Sequence, residues 1–119
     1  MTVDISHLAE RALWPHFRVD CDAGWHQLIV DTHAKLVELD PNYQIAQIKE
    51  KFGGLRYYYD TGASASVEYA MRMIVTKAEI LSSSICEITG LPGELMVKGG
   101  QYKTLNRETY EPQGWTPRK

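Results

Sequence analysis

Cysteine is scarce in this 119-residue chain, with Cys21 and Cys86 far apart as the only two. Two cysteines build neither a disulfide-stapled scaffold nor a four-cysteine zinc site. Long apolar runs are missing as well. The longest aliphatic stretch is Leu28-Ile29-Val30, against the roughly 18 residues a membrane-spanning helix needs. An excess of one charge is also absent: 13 Lys plus Arg face 15 Asp plus Glu, for a net charge of -2. That balance excludes wholesale coating of nucleic acid or of an anionic membrane, while leaving room for a local basic patch. No repeat or low-complexity tract interrupts the chain. The opening Met1-Thr2-Val3-Asp4 carries neither the cationic start nor the apolar run of a signal peptide, so a cytoplasmic protein with reduced thiols is expected.

What is present reads as one α+β domain over residues 1–105, followed by a polar, partly ordered tail over residues 106–119 pinned by Tyr110 or Trp115. Apolar spacing predicts a short helix from Ile5 to about Trp14, stopped by Pro15. A first long helix is predicted from Ala23 to Leu39, capped by Asp22, with Trp25, Leu28, Ile29, Leu36 and Leu39 inward and an Asp31–Lys35 pair outside. A second is predicted from Ala65 to Ile85, capped by Ser64. Its stripe is Val67, Met71, Ile74, Ala78, Leu81 and Ile85, with Glu68 and Arg72 paired outside and Ser82-Ser83-Ser84 weakening the last turn. Between them, Tyr43–Phe52 and Leu55–Asp60 alternate as two strands joined by a Gly53-Gly54 turn. That register sets Phe52 against Leu55 and Lys51 against Arg56. Farther on, Pro92-Gly93 suits a type II turn, and Gly99-Gly100 joins a smaller hairpin of 94–98 and 101–105. The expected architecture is a short antiparallel sheet packed against two long helices, with a C-terminal hairpin appended.

The central hairpin is two-faced. Ile48, Phe52, Leu55, Tyr57 and Tyr59 fall on one side; Gln47, Lys49, Lys51, Arg56, Tyr58 and Asp60 fall on the other. Lys51 opposite Arg56 costs stability unless an anion neutralises them. Lys49, Lys51, Arg56 and Tyr58 are therefore the candidate binding residues, joined by Lys98 and Lys103 of the second hairpin. Met71 and Met73 read as core filler. His26 and His33 lack the spacing of a helical zinc pair, and His7 and His16 join no visible constellation. A thiol nucleophile at Cys21 would need His16 or His26 as its base, and the flanking Asp20 and Asp22 oppose the thiolate. No catalytic set and no cofactor motif converges, so a binding protein rather than an enzyme is expected.

Three blocks resemble a group of small phage and prophage proteins: Cys21-Asp22-Ala23-Gly24-Trp25, Ile48-Lys49-Glu50-Lys51-Phe52-Gly53-Gly54-Leu55-Arg56-Tyr57-Tyr58, and Cys86-Glu87-Ile88-Thr89-Gly90-Leu91-Pro92-Gly93, with Tyr102-Lys103-Thr104-Leu105 as a weaker fourth. The resemblance implies a C-terminal zinc knuckle of the form C-x-x-C-G followed by T-L-C-x-x-H. Only Cys86 matches a ligand here; the other three positions fall on Thr89, Asn106 and Thr109, so a metal-free knuckle is expected, packed by Ile88, Leu91, Leu95, Val97 and Leu105. The resemblance further implies an accessory protein that blocks a host protein or ribonucleoprotein complex, such as a defence nuclease, in the manner of an anti-CRISPR protein. Direct nucleic-acid binding through the basic hairpin is the second expectation. An immunity protein that neutralises a bacterial toxin is the third.

Overall fold

A computed structural model describes residues 2–118. The chain opens with a 3-10 helix, Ser6–Arg11, shorter than the helix the apolar spacing predicts. The reason lies in the sheet: the Leu13 amide donates to the Ile45 carbonyl at 2.8 Å, which draws the chain out of helical geometry before Pro15. Strand β1 (Val19–Asp20) then pairs in parallel with β2 (Gln44–Lys51), which pairs antiparallel with β3 (Gly54–Asp60). The sheet is thus mixed, where only antiparallel strands were expected.

A single 3-10 turn, Ala23–Trp25, precedes helix α1 (His26–Leu39). Asp22 stands at the cap position but makes no cap bond; its carboxylate lies 3.6 Å from the Lys103 ammonium. Asp31 accepts from Gln27 at 2.8 Å instead of meeting Lys35. Trp25, Ile29 and Leu36 are buried as the helical spacing requires, whereas Leu39 is exposed.

Helix α2 (Ala65–Ser82) ends three residues earlier than its apolar spacing suggests. The hydroxyls of Ser82, Ser83 and Ser84 donate to the carbonyls of Glu79, Ile80 and Leu81, competing with the helical ladder. Its buried stripe is Met71, Val75, Ala78 and Ser82, turned away from the one its sequence suggests, so that Met73 and Leu81 are exposed. The turn has a cause. Strand β3 is a sheet edge, and α2 covers it with polar side chains: Ser82 Oγ accepts from the Leu55 amide at 3.1 Å, and Glu79 Oε2 accepts from the Tyr57 amide at 3.0 Å. Two of the edge's unpaired donors are thereby satisfied, which blunts the edge against pairing with another strand.

The second sheet has the order β5-β4-β6, with β4 (Glu94–Lys98), β5 (Gln101–Leu105) and β6 (Thr116–Pro117). Asn106 caps the one-turn helix α3 (Arg107–Tyr110) by accepting from the Thr109 amide. The positive φ in the preceding loop belongs to Gly90, not Gly93, so the type II turn expected at Pro92-Gly93 is not formed. Two apolar clusters result. The larger joins α1, α2 and the first sheet through residues such as Trp25, Ile29, Leu36, Ile45, Ile48, Leu55 and Met71; the smaller comprises Cys86, Met96 and Leu105, covered by Tyr110 and Trp115. Strung together they give extents of 47 × 26 × 24 Å and a radius of gyration of 15.1 Å, above the about 13.5 Å of a rounder domain this long.

Glu87 fastens the two clusters. Its carboxylate, 2% exposed, takes the Lys103 ammonium at 3.0 Å and the Asp22 amide at 3.1 Å. Its carbonyl accepts from the Gly24 amide at 2.7 Å, and its amide donates to the Thr104 carbonyl. The approach at Gly24 is so close that a Cβ there would stand 2.2 Å from the Cys86 carbonyl oxygen.

A polar chain runs through the larger core: His33 Nδ1 meets the Tyr43 hydroxyl at 2.5 Å, which meets the Tyr57 hydroxyl at 2.7 Å. Burial raises both phenols, Tyr43 to about 12 and Tyr57 well beyond the usual range. Among the described residues no helix is long and apolar enough to cross a membrane.

Candidate functional site

The hairpin that carries the candidate residues folds back one residue earlier than Gly53-Gly54. Its pairs are Lys51 with Gly54, Glu50 with Leu55, Lys49 with Arg56, Ile48 with Tyr57 and Gln47 with Tyr58. Phe52 and Gly53 form the turn, with φ of 52° and 85°, the doubly positive geometry of a two-residue hairpin. Three contacts select this turn. Glu50 Oε2 accepts from the Gly53 amide at 2.6 Å, Thr104 Oγ1 donates to the Gly53 carbonyl at 2.7 Å, and a Cβ on Gly53 would stand 2.6 Å from Leu95 Cδ1. The tip is therefore clamped onto the second sheet. Phe52, expected inward, is thrown out to 72% exposure. Lys51 is opposed by Gly54; the like-charge pair across the ladder is Lys49 with Arg56.

Because the slide is an even step along the ladder, each side chain keeps its face. Ile48, Leu55 and Tyr57 are buried; Lys51 and Tyr58 are exposed and Lys49 and Arg56 half-buried. A bulge between Ile45 and Gln47 breaks the two-residue alternation and turns Ile45 inward. One cross-sheet row on the outer face reads Asp20, Lys49, Arg56. The next borders a groove lined by Trp14, His16, Arg18, Gln47 and Tyr58. Trp14 is 59% exposed and Tyr58 44%. The Lys51 ammonium sits 5.9 Å from the Phe52 ring centre. Among the described residues, none of Arg18, Lys49, Lys51 and Arg56 is in an ion pair.

The other two candidates lie elsewhere and are occupied. Lys103 is 18% exposed and bonded to Glu87. Burial alone lowers its pKa, but the hydrogen bond and charge of Glu87 outweigh this and leave it raised. Lys98 donates to the Gln113 carbonyl at 2.8 Å. The sequence pattern missed Trp14, His16 and Arg18, because only the loop after the first 3-10 helix brings them beside β2. The exposed Trp14 next to Pro15 was the available signal.

Cys21 is half-buried, and its thiol is pushed up to about 12 by burial and by the carboxylates of Glu87, Asp22 and Asp20, so it stays protonated near neutral pH. Cys86 differs. Burial raises its pKa, but donors from Thr89, Asn106 and Ile88 outweigh this and leave it below the usual value. Cys86, Thr89, Asn106 and Thr109 are in fact gathered: the Thr89 amide donates to Cys86 Sγ at 3.4 Å, and the Thr109 hydroxyl donates to Asn106 Oδ1 at 2.8 Å. The cover of this corner differs from expectation. Leu105 is buried there as expected, but Ile88 and Leu91 are exposed, and Met96, Tyr110 and Trp115 complete the packing instead.

No family model matches the chain, and neither the curated proteins nor the solved structures contain a match.

Proposed function

We propose that this chain acts by binding. In this reading the outer face of β1–β2–β3 and the Phe52 tip dock on an anionic surface of a host macromolecular complex and occlude it. One observation carries the reading: Arg18, Lys49, Lys51 and Arg56, none of them in an ion pair among the described residues, share a face with the exposed rings of Phe52, Tyr58 and Trp14. In a chain of net charge -2 such segregation favours a complementary acidic partner and speeds the encounter. Aromatic anchors ringed by charge are the side chains that dominate binding energy at protein interfaces. The resemblance of the Lys49–Tyr58 block to phage proteins supports the biological form of the reading, an accessory inhibitor of a host defence complex.

The second reading, direct contact with single-stranded nucleic acid, is favoured by Trp14 and Tyr58 on one groove beside Arg18 and Lys49, the combination of stacking planes and cations that such strands use. One experiment separates the two. The tagged protein is incubated with bacterial lysate with and without nuclease. The inhibitor reading expects a stoichiometric protein partner that survives nuclease. Loss of all captured material on nuclease treatment, with binding to labelled oligonucleotide that falls steeply with salt, would replace it with the second reading.

A further inference from the structure

A cleft on the opposite flank of the sheet plays no part in that face. His7 and Arg11 of the first 3-10 helix, His33 of α1, and Asn42 and Gln44 at the entry to β2 line it, with Glu10 as its carboxylate. The inner wall is the buried His33–Tyr43–Tyr57 chain, and this chain has a direction. The Tyr57 hydroxyl is buried, and among the described residues Tyr43 is its one hydrogen-bond partner. A buried hydroxyl does not leave its proton unplaced, so Tyr57 donates to Tyr43. Tyr43 in turn donates to His33 Nδ1. An imidazole that accepts at Nδ1 carries its proton on Nε2. The free edge of His33 is thereby fixed as a donor.

The neighbours of that edge are donors too. The His7 ring centre lies 5.5 Å from that of His33, and the Arg11 guanidinium is held in place by the Pro41 carbonyl. Asn42 and Gln44 add side-chain amides to the rim. We infer that this cleft is a binding site for a small oxyanion, a phosphate or carboxylate group, gripped by Arg11, His7 and the Nε2–H of His33. Independent support comes from electrostatics: burial first, then the nearby His7 and Arg11, disfavours the charged form of His33. The smaller, charge-borne part of that penalty, not the burial, is what a bound anion relieves. Glu10 opposes the anion from the rim, its one charge set against that of Arg11, while the imidazoles contribute hydrogen bonds.

The test is a titration of the full chain with inorganic phosphate, and separately with acetate, followed through the histidine ring resonances. Saturable shifts of His7 and His33 are expected, and whichever anion saturates at lower concentration names the preferred group. Arg11→Gln and His7→Gln should each weaken binding by about tenfold, the worth of one hydrogen bond to a charged group. Arg107→Gln, at an exposed position on α3 beside the second sheet, should leave it unchanged. Shifts that fail to saturate by about 50 mM, well above a millimolar dissociation constant, would overturn the inference. So would binding by the Arg11 and His7 variants equal to that of the parent, or loss of binding in Arg107→Gln.

Discussion

Phe52 is the residue at which local preference and tertiary demand collide. A bulky side chain at φ 52° is strained by about 1 kcal/mol or more, and its ring gains no burial in return. Asparagine is the residue that a two-residue turn of this geometry prefers before glycine. Phe52→Asn should therefore raise the free energy of unfolding by about 1 kcal/mol, read from the denaturant midpoint, while weakening partner capture. A variant that is less stable than the parent would show that the ring supports the fold. His33 gives a prediction in pH. Its folded value is below the 6.5 of an ordinary histidine, because burial, then His7 and Arg11, penalise the charge. The unfolded chain thus takes up the proton first as pH falls. Stability is full above about 6.5 and declines as pH drops from there toward the lower folded value, in a window above that of the carboxylates. His33→Gln should flatten that decline in thermal melts; an unchanged slope would assign the loss to another group.

At the scale of elements, α2 does more than supply an apolar stripe. Glu79→Ala removes the acceptor of the Tyr57 amide and should cost about 1–2 kcal/mol, with faster hydrogen exchange at Tyr57 than at the amides within α1. Equal exchange there would mean that water replaces the carboxylate without loss. This pairing also explains which features the sequence disclosed. Trp25, the α1 residues Ile29 and Leu36, and the two-faced hairpin were legible, because burial follows periodicity wherever one face is apolar. The α2 rotation was hidden, since it rests on polar side chains meeting a strand edge distant in sequence. The hairpin register was hidden for another reason. Phe-Gly-Gly permits two turns with the same face assignment, and the choice between them rests on Glu50 together with Leu95 and Thr104, the last two far along the chain. Face membership of Lys49, Lys51, Arg56 and Tyr58 survived that ambiguity, whereas Lys98 and Lys103 shared nothing with them beyond charge.

At the scale of the whole molecule, two small cores depend on the joint around Glu87. Lys103→Met leaves that carboxylate buried without its cation and should destabilise by about 3 kcal/mol, with partial recovery on adding Glu87→Gln; no recovery would mean that the lysine stem, not its charge, holds the joint. The same variant should keep its grip on a partner, since Lys103 lies off the cationic face. The central claim is that this face, and not the overall charge, does the binding. The most direct measurement compares wild type with Lys51→Glu/Arg56→Glu in capture from bacterial lysate, with circular dichroism and melting behaviour as the control for folding. The account predicts a fold that persists and a partner that is lost; a folded double variant that captures its partner as well as wild type would contradict it.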